Sequence, residues 1–171
     1  MIIYHIIWIF TTFLLVGLQI SWPEILKIGN ASPNLPLIGI IYIALTYGEE
    51  RAMVASILAG LYLDVASNTT LGFHILCFVV PAFAFGKISA RLISLHPAVK
   101  ATLIFFASLL YGVIFNTVSY LQDPFTNFFY TLIADTIPQS FYTAILTPIA
   151  FWVISSILNF SDTIFNYQIS E

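Results

Sequence analysis

The sequence predicts an all-α integral membrane protein, folded as a compact bundle of six transmembrane helices in one polytopic domain. Hydrophobic residues make up 60% of the 171-residue chain and charged residues only 8%, whereas soluble domains carry about 25% charged residues. The chain therefore has too few polar side chains to cover a water-soluble core. Six apolar stretches follow one another, and backbone groups inside a bilayer must pair within their own segment, so each stretch is expected to be a helix.

The first two predicted spans cover residues 2–21 and 36–48. Because no Lys or Arg precedes the first apolar run and no small-residue cleavage site follows it, we expect a retained helix and not a removed signal peptide. Pro36 opens the second span and Gly48 ends it. A span of about 15 residues reaches only about 22 Å, so such a short helix must be thin, borrow loop residues or be shielded from lipid by protein.

The third and fourth predicted spans, residues 52–66 and 70–86, flank the segment that follows Asp64. The third span is equally short, and a polar turn at residues 49–51 is predicted to separate it from the second. The fourth span is expected to begin after residues 68–70, because Asn and Thr side chains can cap a helix N-terminus.

The fifth predicted span covers residues 98–121 and contains a polar stripe at helical spacing: Ser108, Gly112, Asn116 and Ser119. Polar residues inside a membrane helix usually face other helices, so this stripe is expected to face the bundle, where it could line a cavity.

The sixth predicted span covers residues 130–160 and is interrupted by Pro138 and Pro148. Both prolines are expected to kink the helix, since proline cannot donate the backbone hydrogen bond of a regular turn. Asp135 precedes Pro138 and is predicted to cap or charge-stabilise the start of the last helix.

The basic residues predict the orientation of the bundle. With six spans and a cytoplasmic N-terminus, four of the five basic residues fall in cytoplasmic connections: Arg51, Lys87, Arg91 and Lys100. Only Lys27 falls in an outer connection. Because basic residues in short loops remain on the cytoplasmic side, both termini are predicted to be cytoplasmic, and Asp64 is predicted to lie near the outer end of its helix.

Small residues line one face of the third span, at Ala52, Ala55, Ser56, Ala59 and Gly60. Pairs of small residues four positions apart let helix backbones approach closely in lipid. Close packing inside the bundle is the favoured interpretation of this face, and a surface for a partner helix is the alternative.

Asp64 lies four residues after Gly60 and shares its helix face. A carboxylate within a membrane is costly unless donors satisfy it, so we expect donors from residues 68–70 or from the backbone amides that open the fourth span. A structural tie between two helix ends is favoured over proton transfer or ion binding. His5 and His74 are isolated in sequence, and each is interpreted as a packed or interfacial residue and not as a ligand.

No catalytic, cofactor-binding or metal-ligating constellation is recognisable in the sequence. It contains no nucleophile–base pair, phosphate-binding loop or carboxylate dyad, and its single Cys77 excludes a disulfide within one chain. The polar groups are too few to furnish the cavity of a membrane enzyme, and no basic cluster suits nucleic acid. We therefore expect no enzyme, no cofactor and no nucleic-acid partner, with membrane lipid around the helices.

A combination of short motifs between residues 33 and 76 indicates a family. Pro33 and Pro36 open a short span that ends with YIALTYG, and AGLYLDV and LGFH follow. Together with the ending IPQSFYTAILTPIAFW, these features resemble the rod shape-determining protein MreD family. Thr143 departs from the family pattern, because many members carry Asn there, and this departure puts in doubt any interaction that the amide would make.

The resemblance implies a non-enzymatic scaffold of the bacterial cell-elongation machinery in the inner membrane, where it supports peptidoglycan synthesis and cell-shape maintenance. The expected partner is MreC, and through it the cytoskeletal protein MreB, the glycosyltransferase RodA and a penicillin-binding transpeptidase. The implied fold is similar to the S components of energy-coupling-factor vitamin transporters. Across the chain, the candidates for structural packing or partner contact are Asp64, Gly60, Ser56, Ala59, Pro36, Gly48, Gly72, Asn116, Asp135 and Pro138.

An S-component-like subunit that captures a small vitamin-like molecule is the alternative function. It would need a polar pocket that faces outward and a coupling face of small residues on the first span. That span reads YHIIWIFTTFLLVG and is bulky throughout, so the coupling face is missing and a small-molecule ligand is not expected. A proton-coupled carrier that uses Asp64 is a third possibility.

Overall fold

The computed structural model describes residues 2–27, 31–89, 97–123 and 127–169, and side chains for all of these except 2–7, 88–89 and 158–169. This part of the chain forms six main helical segments: α1 (Ile2–Ile20), α2 (Leu35–Tyr47), α3 (Glu49–Ala66), α4 (Phe73–Ser89), α5 (Pro97–Gln122) and α6, with a single 3-10 turn (Glu24–Leu26) between α1 and α2. The last segment, α6, joins a helical turn (Phe128–Thr131), a π-helical stretch (Leu132–Thr136) and a long α-helix (Ile137–Ile169). The predicted all-helical class and the predicted number of helices are confirmed.

Two of the helices are long and apolar enough to cross a membrane by length and composition, Pro97–Gln122 and Phe128–Ile157. Counting only the residues whose side chains the structure describes, three further apolar helical stretches are shorter: Trp8–Ile20, Leu35–Tyr47 and Phe73–Lys87. These apolar helices fit a multi-pass membrane protein.

α2 is the central helix of the bundle. Ten of its residues are buried, and it contacts all five other helices. Its N-terminus is capped by the Asn34 side chain, which accepts a hydrogen bond from the Leu37 N–H over 3.2 Å. Pro36 lies in the first turn, where its missing N–H breaks no helical hydrogen bond. A helix that is apolar on every side is buried on every side, and α2 is accordingly enclosed by the other five helices.

Gly48 is the single residue between α2 and α3. Its φ of 93° lies in the left-handed region that glycine adopts without steric cost, which lets the chain reverse within one residue. Glu49, Glu50 and Arg51 form the first turn of α3, so the prediction of a polar turn at residues 49–51 is wrong. The two acidic residues are instead favourable at the positive end of the helix dipole.

α3 and α4 are antiparallel and pack backbone against backbone. A Cβ atom on Gly60 would lie only 2.5 Å from the Cα of Ile75, and one on Gly86 would lie 2.8 Å from the Cβ of Glu49. The rest of the small-residue face is also buried: Ala52, Ala55, Ser56 and Ala59. This face of α3 therefore lies inside the bundle, where small side chains let neighbouring helices approach closely.

The π-helical stretch of α6 accommodates Pro138, which follows two residues later. Proline has no N–H for the carbonyl of the preceding turn, and a widened turn is one way in which a helix absorbs that missing bond. Asp135 lies inside this stretch and not before a helix start. The capping role predicted for it does not hold, because α6 already begins at Phe128. Pro148 lies further along the same continuous helix.

Candidate functional site

The carboxylate of Asp64 connects the end of α3 to the start of α4. It is 1% exposed. Its Oδ2 accepts a hydrogen bond from the Gly72 N–H over 2.7 Å, and its Oδ1 accepts one from the His74 N–H over 2.9 Å and one from the Thr69 hydroxyl over 3.1 Å. Asp64 therefore caps α4 from a neighbouring helix, and the start of α4 is not capped by residues 68–70 as predicted.

The ring of His74 is held by the same carboxylate. Its Nδ1 lies 2.7 Å from Asp64 Oδ1, and because an ionised carboxylate only accepts hydrogen bonds, Nδ1 is the protonated ring nitrogen. The histidine is 7% exposed and packs edge-on against Phe73, with ring centroids 5.1 Å apart. His74 is thus a packed residue, although one paired with the carboxylate. The side chain of His5 lies outside the described residues.

Two residues with positive φ shape the loop that carries these donors. Asn68 has a φ of 52° and Gly72 a φ of 100°, a region in which glycine is unstrained and asparagine is tolerated. The loop brings the amides of Gly72 and His74 to one carboxylate, and α3 and α4 are in close contact at Gly60, one helical turn before Asp64. Because residues 67–72 form this loop, α4 begins only at Phe73, three residues later than predicted.

A polar cavity of about 610 Å³ adjoins the Asp64–His74 pair. It opens at the end of the bundle where α1, α3 and α5 end and α2, α4 and α6 begin, which we call the cavity end. Every helix, or the residue next to it, contributes a polar side chain to the lining, including Gln19, Asn34, Ser67, His74, Asn116 and Asp135. The sequence predicts too few polar groups for the cavity of a membrane enzyme and leaves open that the polar stripe of α5 lines a cavity. The structure brings several polar groups to one cavity, because each helix or the residue beside it contributes one or a few of them.

The wall between α5 and α6 is built from the polar stripe of α5. Asn116 Nδ2 donates to the Thr136 hydroxyl over 2.7 Å, and a Cβ atom on Gly112 would collide with the Thr136 side chain. Ser119 also lines the cavity, whereas Ser108 is buried outside its lining. Most of the stripe thus faces the cavity, and Thr136 is a contact residue that sequence reasoning missed.

A hydrogen bond joins Asn34, which lines the cavity, to Thr143 of α6. The Asn34 N–H donates to the Thr143 hydroxyl over 3.0 Å, and that hydroxyl donates to the Gln139 carbonyl over 2.7 Å. Thr143 is fully buried. Thr143 therefore links α6 to the residue that precedes α2 through its hydroxyl.

The arrangement is suited to recognition through hydrogen bonds and charge. Within the part of the chain that the structure describes, no group of three or more His, Cys, Asp or Glu side chains is arranged to hold a metal ion. His74 is engaged with Asp64 at the start of α4, and the other polar groups of the lining are amides, hydroxyls and the Asp135 carboxylate. Such groups can bind a polar segment or molecule and fix its orientation.

A family model described as rod shape-determining protein MreD matches residues 1–160. The match covers α1 to α5 and most of α6, so the cavity and the Asp64–His74 pair lie within it. No match was found among curated proteins or among solved structures. The similarity to S components therefore stays a prediction.

Proposed function

Since the chain belongs to the rod shape-determining protein MreD family, we propose that it is the inner-membrane scaffold subunit that binds MreC in the bacterial cell-elongation complex. Membership makes it a non-enzymatic protein with a role in rod-shape determination. Through MreC it would join MreB, RodA and a penicillin-binding transpeptidase, and so support peptidoglycan synthesis.

The polar cavity is the observation that carries this proposal. A scaffold needs a surface that recognises its partner, and the cavity is a concave site with hydrogen-bonding groups from every helix. Large apolar side chains are exposed around the cavity end: Ile25 (95%), Leu71 (73%), Leu121 (75%), Phe129 (77%) and Tyr130 (70%). Exposed apolar groups beside a polar recess are typical of protein interaction sites. We propose that a segment of MreC enters the cavity and rests on these side chains.

The distribution of charge supports a cavity that faces the outside of the cell. At the opposite end of the bundle, Arg51, Lys87 and Lys100 each lie over an aromatic ring, within 5.6 Å, 4.2 Å and 5.9 Å of its centroid. Arg91 lies outside the described residues, and Lys27 is the basic residue near the cavity end. Because basic residues favour the cytoplasmic side, we propose that both termini are cytoplasmic.

Co-purification from native membranes tests the proposal. The tagged full-length chain is extracted in mild detergent, transferred to lipid nanodiscs and analysed by mass spectrometry, with a tagged unrelated six-span protein as control. We expect MreC to be recovered with this chain and not with the control. Recovery of folded protein without MreC, from cells that express MreC, would contradict the proposal.

Capture of a small molecule is the second candidate function, and the size of the cavity is the observation that favours it. Ligand pockets typically measure about 300–1,000 Å³, and this cavity measures about 610 Å³. Native mass spectrometry of the same preparation tests this candidate. A small molecule retained in equal proportion to the chain would support it, whereas its displacement of MreC would argue against the scaffold.

A further inference from the structure

We infer that the cavity binds a cationic group, the ammonium or guanidinium of a Lys or Arg side chain of the partner, and that Asp135 is the residue that receives it. This inference rests on the proposed function and deepens it, because it names the chemistry by which the cavity recognises MreC.

Asp135 is a cavity-lining carboxylate without a partner. It lies in the π-helical stretch of α6 and is partly buried. Its side chain forms no hydrogen bond or ion pair with any residue that the structure describes, whereas the Asp64 carboxylate accepts from Gly72, His74 and Thr69. A carboxylate that is partly removed from water gains free energy when a cation pairs with it.

The described basic residues all lie elsewhere. Lys27 is 3.5 Å from Glu24, and Arg51, Lys87 and Lys100 lie against rings at the opposite end of the bundle. None of these four side chains lines the cavity. The charge of Asp135 is therefore left for a group that comes from outside the described chain.

The other walls of the cavity also favour a cation over an anion. Tyr111 and Phe115 line it, with nearly parallel rings 6.1 Å apart at an angle of 22°, and aromatic faces attract ammonium and guanidinium groups. The Asn116 Nδ2 is committed to Thr136, which leaves its Oδ1 as an acceptor. The cavity thus combines a negative charge, an open acceptor and aromatic rings, a combination that suits a Lys or Arg side chain.

A set of variants in the full-length chain tests the inference, with MreC binding measured in nanodiscs at low and high salt. Asp135→Asn removes the charge at nearly constant volume, and Asp135→Glu keeps it. Glu50→Gln is the matched control, since Glu50 is exposed and lies in the first turn of α3, at the end of the bundle opposite the cavity. We expect Asp135→Asn to weaken binding about tenfold or more and to flatten its salt dependence, while Asp135→Glu and Glu50→Gln bind like the wild type.

A charge exchange identifies the source of the cation. Asp135→Lys should abolish binding, and changing one Lys or Arg of MreC to Asp should restore it. Equal binding by the wild type and by a folded Asp135→Asn variant would overturn the inference and leave the proposed function standing. Failure of the wild type itself to bind MreC would instead overturn the proposed function and this inference with it. Each variant is checked for a cooperative thermal unfolding transition, which indicates that it is folded.

Discussion

His74 is bound twice by Asp64, once through its backbone and once through its ring. The N–H of His74 lies 2.9 Å from Asp64 Oδ1 and its Nδ1 lies 2.7 Å from the same oxygen. One carboxylate at the end of α3 thereby holds the first turn of α4 and one wall of the cavity in a single arrangement. The hydrogen-bond partners of the Asp64 carboxylate, Thr69, Gly72 and His74, all lie within ten positions of it in the sequence.

Replacing Asp64 should destabilise the bundle. Asp64→Ala leaves the amides of Gly72 and His74 and the imidazole without an acceptor, and we expect a loss of about 3 kcal/mol or more in the free energy of unfolding. Asp64→Asn retains one carbonyl oxygen and should lose less. Thermal or denaturant unfolding in detergent measures both, and wild-type stability of the alanine variant would refute the role assigned to the carboxylate.

Gly60 should not tolerate even one added methyl group. A Cβ atom there would lie 2.5 Å from the Cα and the N of Ile75, whereas one on Gly17 would have no neighbour within 4 Å. We expect Gly60→Ala to lower the free energy of unfolding by about 1–3 kcal/mol. Gly17→Ala should be neutral or stabilising by roughly 0.5–1 kcal/mol. Equal stability of the two variants would mean that α3 and α4 are not in backbone contact.

The bond between Asn116 and Thr136 should contribute to the packing of α5 on α6. Thr136→Val keeps the shape of the side chain but leaves the Asn116 amide without its acceptor, so a loss of about 1–3 kcal/mol in the free energy of unfolding is expected. Thr117→Val is the control, because the exposed Thr117 hydroxyl bonds only to the Val113 carbonyl of its own helix. A comparable loss in both variants would argue against a specific contact.

Thr143 should matter more than Thr147, although both are fully buried. Thr143 accepts a hydrogen bond from the Asn34 N–H, which belongs to another part of the chain, while Thr147 donates only to the Thr143 carbonyl. Thr143→Val should cost about 1–3 kcal/mol, and Thr147→Val much less. The difference between their unfolding midpoints is the measurement, and the reverse order would contradict the link between α6 and α2.

The helices could be predicted from the sequence because apolar length in a chain with so little charge leaves few alternatives. For the short α2 the sequence left three possibilities open: a thin span, a span that borrows loop residues, or a helix shielded by protein. Only the assembled bundle, in which α2 contacts the five other helices, decides for shielding. The end of α2 at Gly48 was predicted correctly, but the start of α3 was placed too late, since Gly48 can reverse the chain alone and thereby allows Glu49 and Glu50 to begin a helix.

The full lining of the cavity could not be predicted, for a physical reason. Its polar residues are spread over six helices and the residues beside them, for example Gln19 on α1 and Gln139 on α6, and each is ordinary in its own surroundings. Only the register of the assembled bundle brings them together. The hydrogen-bond partners of Asp64 depend in the same way on the positive φ of Asn68 and Gly72. Asparagine and glycine can adopt a positive φ, but their presence in the sequence does not require it.

Site-specific cross-linking tests the central claim, that this chain binds MreC through its cavity, most directly. A photoreactive amino acid is placed at Gln139 in the cavity or, as a control, at the exposed Thr102 in the groove between α5 and α6. Cells are irradiated, and adducts are identified with antibodies against MreC. The cavity model predicts a cross-link to MreC from position 139 and none from position 102. An MreC adduct from position 102 alone would contradict it.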